Sequence, residues 1–173
     1  MTDFTPDWDG RVAGHWLRID DFEEDAFRAT LETLLAELPA DSATADFERG
    51  AVFDSFGHPE LAVPLYQRAL AAGVSGERRR RAVIQMSSSI RNLGDPQRAV
   101  DLLTAELARP NDHLTGAVRA MLALALTDVG REREAVSVAV TGLAAYLPRY
   151  NRSMARYAAA LMIDAGPCQT SAS

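Results

Sequence analysis

Lysine is absent from this chain: all 18 basic residues are arginine. That excludes chemistry built on a lysine amine, from a phosphate-loop lysine to a Schiff base or a Ser-x-x-Lys acylation pair. A single cysteine, Cys168, cannot close an internal disulfide, so nothing points to an oxidising compartment. Aromatic residues make up only 7%. No apolar run approaches the roughly 18 residues that a membrane helix needs. The first ten residues are acidic and lack the apolar core of a secretory leader. With 24 acidic residues the net charge is −6, a poor balance for general nucleic-acid binding, which depends on neutralising phosphates. The expectation is a cytoplasmic protein with no membrane and no nucleic-acid partner.

What the chain does have is alanine, leucine and helix punctuation. Its 173 residues suit about one domain and allow a core without disulfides or metals. Residues 1–19 carry Trp8 and Trp16 but no clear period. Asp20 and Glu23 have capping-box spacing, and Phe27, Leu31, Leu34, Leu35 and Leu38 then recur at helical intervals before Pro39. Further helices are expected over 43–56, 59–70, 75–93 and 96–109, from Asn111 or Asp112 to Gly130, over 131–147 and over 151–165. Asp95-Pro96 is a strong helix start, whereas Pro64 should kink the helix that contains it. No segment alternates with period two. The reading is all-α with about eight helices: a segment 1–19, a helix in 20–39, a repeat region 43–166 and a tail 167–173.

The repeat is visible in the turns. Gly57, Gly94, Gly130 and Gly166 lie 37, 36 and 36 residues apart. A small residue stands seven before each (Gly50, Ser87, Ala123, Ala159) and a large apolar one four before (Phe53, Ile90, Leu126, Met162). Ala62, Ala99 and Ala135 follow the first three by five. Such self-similarity is the signature of stacked helix pairs that pack closely at small residues. These residues, with Tyr66, Ala69, Met86, Leu103, Leu122, Pro110 and Pro148, resemble the motif of the tetratricopeptide repeat family. The Arg and Ala bias fits a small member from a bacterium of actinobacterial type. Departures are Asp46, Val83 and Arg119 at the motif's Trp, Glu106 at a small-residue position, and a period two or three residues too long.

No catalytic or metal-ligating pattern accompanies the repeat. His15, His58 and His113 do not form paired ligand spacings, and Asp7-Trp8-Asp9-Gly10 fails as a calcium loop because Trp16 falls where the bidentate Glu must stand. Neither an enzyme nor a cofactor is expected. The run Arg78–Arg81 reads as a solvated helix start, with an anion patch as the alternative.

The resemblance implies a right-handed α-solenoid of antiparallel helix pairs whose first helices line a concave groove for a peptide or partner protein. By repeat position the groove would present Asp54, Arg81, Gln85, Ser88, Arg91, Asn92, Asp128 and Arg156. The family's carboxylate clamp would fall on Phe47, Ala51, Gln85, Ala117 and Met121, which are mostly apolar, so a chaperone tail is not the expected partner. A non-catalytic scaffold or adaptor is the first reading; a regulatory domain sensing a small anion or signalling peptide is the alternative. The last helix is apolar beyond what a solvated face needs. Two copies packed about a two-fold axis through Tyr157, Leu161 and Met162 would cover it as a homodimer, unless the N-terminal segment or tail folds over it.

Overall fold

A computed structural model describes residues 6–163. Gly166, Cys168 and the expected tail 167–173 lie outside the described residues. Nine α-helices and one short 3-10 turn are present among them, and no strand. The helices are α1 (Pro6–Trp16), α2 (Glu24–Leu35), α3 (Ala43–Ser55), α4 (Pro59–Ala71), α5 (Gly76–Asn92), α6 (Pro96–Leu107), α7 (Thr115–Asp128), α8 (Glu132–Ala144) and α9 (Asn151–Ile163). The chain is an α-solenoid of helix pairs that divides into two compact units, Met1–Val74 and Ser75–Ser173.

The expectation of eight helices is corrected by α1, which occupies the segment read as lacking a period. In the N-terminal unit α1 runs antiparallel to α2. The Trp8 indole N–H donates to the Leu34 carbonyl at 2.9 Å, near the far end of α2. At the other end, His15 Nε2 donates to the Phe27 carbonyl at 2.9 Å and its ring stacks on Phe27 at 3.9 Å. Trp8, Val12, Phe27, Leu31, Leu35, Ala45 and Val52 form one buried cluster, edged by Trp16, Phe22 and Phe56. Arg11 clasps Glu37 with two hydrogen bonds of 2.6 Å, which hold that carboxyl below the usual carboxylate range. The capping box does not form: Asp20 sits in the 3-10 turn Ile19–Asp21, and α2 begins only after Glu23, whose side chain caps nothing.

The repeat turns behave as their spacing requires. Gly57, Gly94 and Gly130 adopt φ of 85°, 91° and 74°, a left-handed conformation that glycine adopts without strain. At each, the residue after glycine donates its N–H to the large apolar residue four before it: His58 to Phe53, Asp95 to Ile90 and Arg131 to Leu126. The small residues are helix contacts. Ser87 is fully buried and Ala123 is buried, and a Cβ built on Gly50 would stand 3.0 Å from the Tyr66 ring and 3.3 Å from Leu65 Cβ. Helix α4 passes through Pro64 without a break. Pro64 is exposed, so the Glu60 carbonyl that loses its helix bond is left on the water side. Helix α7 begins at Thr115, not at Asn111 or Asp112; Asp112 instead accepts the Leu114 N–H at 2.8 Å in the preceding turn. Helix α8 ends at Ala144, three residues short of expectation.

The three positions where the motif has tryptophan make different contacts here. Asp46 accepts two hydrogen bonds from Arg68 and ties α3 to α4. Val83 is buried. Arg119 lies along α8, with its Cβ 3.3 Å from where a Gly142 Cβ would stand.

Glycine contacts give the first test. Tyr66 is fully buried and cannot retreat, so Gly50→Val should destabilise by about 1–3 kcal/mol, the usual cost of overfilling a packed contact. Gly116 faces the tip of Tyr146, whose side chain is mostly exposed and free to swing. Gly116→Ala should leave the urea midpoint unchanged or raised, through its better helix propensity.

Candidate partner-binding face

Within the C-terminal unit, the first helices of two successive repeats, α5 and α7, lie side by side. Arg91 on α5 pairs with Asp128 on α7, and Arg80 reaches Thr115 at 3.3 Å. Both links span about one repeat, so the two helices run parallel and in register.

On α5, Arg81, Gln85, Ser88 and Asn92 follow at intervals of four, three and four, which puts them on one stripe. The first three are half-buried and Asn92 is exposed. The Oε1 of Gln85 is buried without a hydrogen-bond partner. Adding 36 residues gives the matching stripe on α7: Ala117, Met121, Leu124 and Asp128. Ala117 is exposed, Met121 half-buried and Leu124 49% exposed. A polar stripe therefore lies beside an apolar one. Leu124 was not among the expected groove residues; its offset of 36 from Ser88 is the signal that identifies it.

Of the expected groove residues, Arg91 and Asp128 are brought together, and they neutralise each other. Arg156 is exposed on α9, its guanidinium 5.6 Å from the Tyr157 ring. Asp54 lies half-buried on α3 in the N-terminal unit. The clamp positions Phe47 and Ala51 are buried, which removes them from any binding face. The expected interface residues Tyr157 and Met162 are exposed, while Leu161 is half-buried.

The reading of Arg78–Arg81 as a solvated helix start is corrected at two of its members. Arg79 gives hydrogen bonds of 2.7 and 2.6 Å to the Glu106 carboxylate. Arg80 is buried and donates to the Pro110 carbonyl at 2.9 Å, with Glu106 at 3.7 Å and Asp112 at 3.4 Å. Glu106, only 2% exposed, stands where the motif wants a small residue. Its charge is matched by two arginines from the facing helix, and together they pin α5 to α6 and to the start of α7. Paired groups of this kind cannot serve an outside anion. A second buried carboxylate, Glu48, accepts from the Trp16 indole at 2.8 Å in the N-terminal unit.

Each histidine is held structurally: His15 on Phe27, His58 beside Glu24 and Glu60, His113 beside Glu77. Among the described residues no three His, Cys, Asp or Glu side chains are grouped as metal ligands, and no helix is long and apolar enough to cross a membrane.

Residues 43–161 match the tetratricopeptide repeat family. A solved structure described as "MamA MSR-1 C2" superposes with a TM-score of 0.54 at 20% identity, covering 86% of this chain and 73% of that one; this is a likeness of fold. A comparison with curated proteins gives no match.

The buried and exposed ion pairs should separate cleanly. Glu106→Ala removes the carboxylate that Arg79 clasps and one of the two that face the buried Arg80, leaving Asp112 at 3.4 Å, and should cost about 3 kcal/mol in denaturant unfolding, the lower end for a broken buried pair. Arg91→Ala removes a pair that water reaches and should cost about 1 kcal/mol or less.

Proposed function

Because the chain belongs to the tetratricopeptide repeat family, we propose that it is a non-catalytic protein-interaction module that binds a partner's helix or extended peptide along α5 and α7. The observation that carries this reading is the apolar stripe Ala117, Met121 and Leu124, exposed at Ala117 and Leu124 and half-buried at Met121, beside the polar stripe Gln85, Ser88 and Asn92. An amphipathic segment fits both: its apolar side chains would lie on α7, and its polar groups would meet the amides and hydroxyl of α5. The half-exposed Leu124 is the natural anchor, since large side chains at the centre of an interface carry most of its energy.

Sensing of a small anion is the weaker reading. It needs an uncommitted cation in the groove, and Arg91 is committed to Asp128. No specific feature favours it.

Affinity capture from the source cell's lysate tests the proposal. A protein retained in near-equal stoichiometry by the wild type should bind Leu124→Asp at least about tenfold more weakly, the scale of losing one interface anchor. The melting temperature should barely move, because half of that side chain already faces water. A capture profile unchanged by Leu124→Asp excludes this face.

A further inference from the structure

We infer that the protein self-associates head to tail, the outer face of α9 in one copy packing on the outer face of α1 in the next. Two faces and the charges around them carry this.

The first is on α9. This helix holds the position of a repeat's first helix, yet no described helix follows it as the second of the pair. Its only buried residue is Ala158, and it is tied to α8 through Ser137, which donates to the Ala158 carbonyl at 2.7 Å, and Arg133, which donates to that of Leu161. Ala159, the small residue that would receive a second helix, is exposed, as are Ala155, Met162 and Ile163. Along one side of that stripe stand Arg152 and Arg156, with Arg149 just before the helix, all exposed and without an ion pair among the described residues. From Ala135 to Ile163 there is no acidic residue at all.

The second face is on α1. Trp8, Val12 and His15 point into the core; Gly10, Ala13, Gly14 and Leu17 point away from it. Leu17 is 88% exposed, and a Cβ on either glycine would meet nothing within 4 Å. This is a flat, narrow surface on which another helix can come close. It adjoins an acidic turn where Asp20, Glu23 and Asp25 are exposed. The acidity extends through the unit. Met1–Val74 carries 15 acids against 5 arginines, a net −10, and Ser75–Ser173 carries 9 against 13, a net +4. All five N-terminal arginines are already engaged, by Glu37, Asp21, Glu24, Glu32 and Asp46.

Opposite charge selects the geometry. A two-fold dimer through α9 would set Arg149, Arg152 and Arg156 against their own copies, whereas a head-to-tail contact sets them against the acidic turn of the neighbour. A long polyanion would meet the −10 unit as well as the basic face, so a second copy is the better match. A heterologous contact need not close, and it then continues to add copies.

Sedimentation velocity in about 20 mM salt provides the test. The mean mass should rise with concentration past that of a dimer, and fall to monomer by about 0.5 M salt, where screening is short-ranged. Arg152→Glu/Arg156→Glu alone and Asp20→Arg/Glu23→Arg alone should each be monomeric with unchanged melting temperature, because all four side chains are exposed. Mixing the two should restore a complex, since each retains one intact face. A wild type that stays monomeric at low salt overturns the inference. So does an Asp20→Arg/Glu23→Arg variant that still dimerises by itself, which would establish the two-fold α9 contact instead. Low-salt association abolished by neither double variant would likewise overturn it.

Discussion

How near two helices of a pair can lie is set where a small residue meets a large one, and the rest of this fold follows from that distance. Gly50 lies against the Tyr66 ring so closely that one added carbon would touch it, and Ser87 and Ala123 are buried at the equivalent positions. A contact this close leaves no slack for the chain to turn, so the turn must be tight. A left-handed glycine seven residues on supplies it, with the residue after the glycine donating its N–H to the backbone carbonyl of the large apolar residue. Small contact, large filler and turn glycine thus form one unit of construction. Its repetition every 36 or 37 residues brings the same face of α5 and α7 side by side, which is what makes a binding stripe there at all.

Departures from that pattern are compensated across helices, not within them. A carboxylate at position 106 would be costly to bury alone. It is tolerable because Arg79 and Arg80 arrive from α5 and take its charge. The same arginines also satisfy the Pro110 carbonyl and the Thr115 hydroxyl, so one buried charge cluster fixes three successive helices. Asp46 and Arg68 do a lighter version of this at the surface. The extra residues that lengthen the repeat beyond 34 fall in the second helix or the loop after it, and leave the contact-to-turn spacing intact.

The helices of the repeat region were legible because each obeys a local rule: a 3.6-residue apolar period, a capping residue, a glycine stop. Helix α1 was not. Its inner face rests on Trp8, Val12, His15 and Trp16, and its outer face carries Gly10, Ala13 and Gly14, so neither the apolar stripe nor the polar counter-stripe stands out. Its start precedes that of α3 by 37 residues, the repeat length itself, and that offset was the readable clue. The pairing of Arg79 and Arg80 is hidden in the sequence for a different reason. Their partners lie 26 to 35 residues away, and nothing local tells a solvated arginine from one aimed at a distant carboxylate. On the binding face, the α5 stripe was readable because polar residues at helical spacing invite attention. Leu124 does not stand out in the sequence because an apolar residue in a helix is ordinarily core, and only the register of the neighbouring repeat places it outside.

A stack of helix pairs carries a cost that a closed fold does not: every helix added covers one face and creates another. The interior of the stack is insensitive to this, since each new face is covered in turn, and the burden falls on the first and last helices. Here neither described end is sealed by charge across its face. Helix α1 ends the stack with glycine and alanine, which expose little apolar area yet allow close approach. Helix α9 ends it with alanine, methionine and isoleucine flanked by arginine. Either device alone would limit nonspecific adhesion. One belongs to a unit of net −10 and the other to a unit of net +4, so charge favours the pairing of unlike faces over like ones between copies. The residues of these two faces are separate from those of the groove on α5 and α7, so the two surfaces can be altered independently.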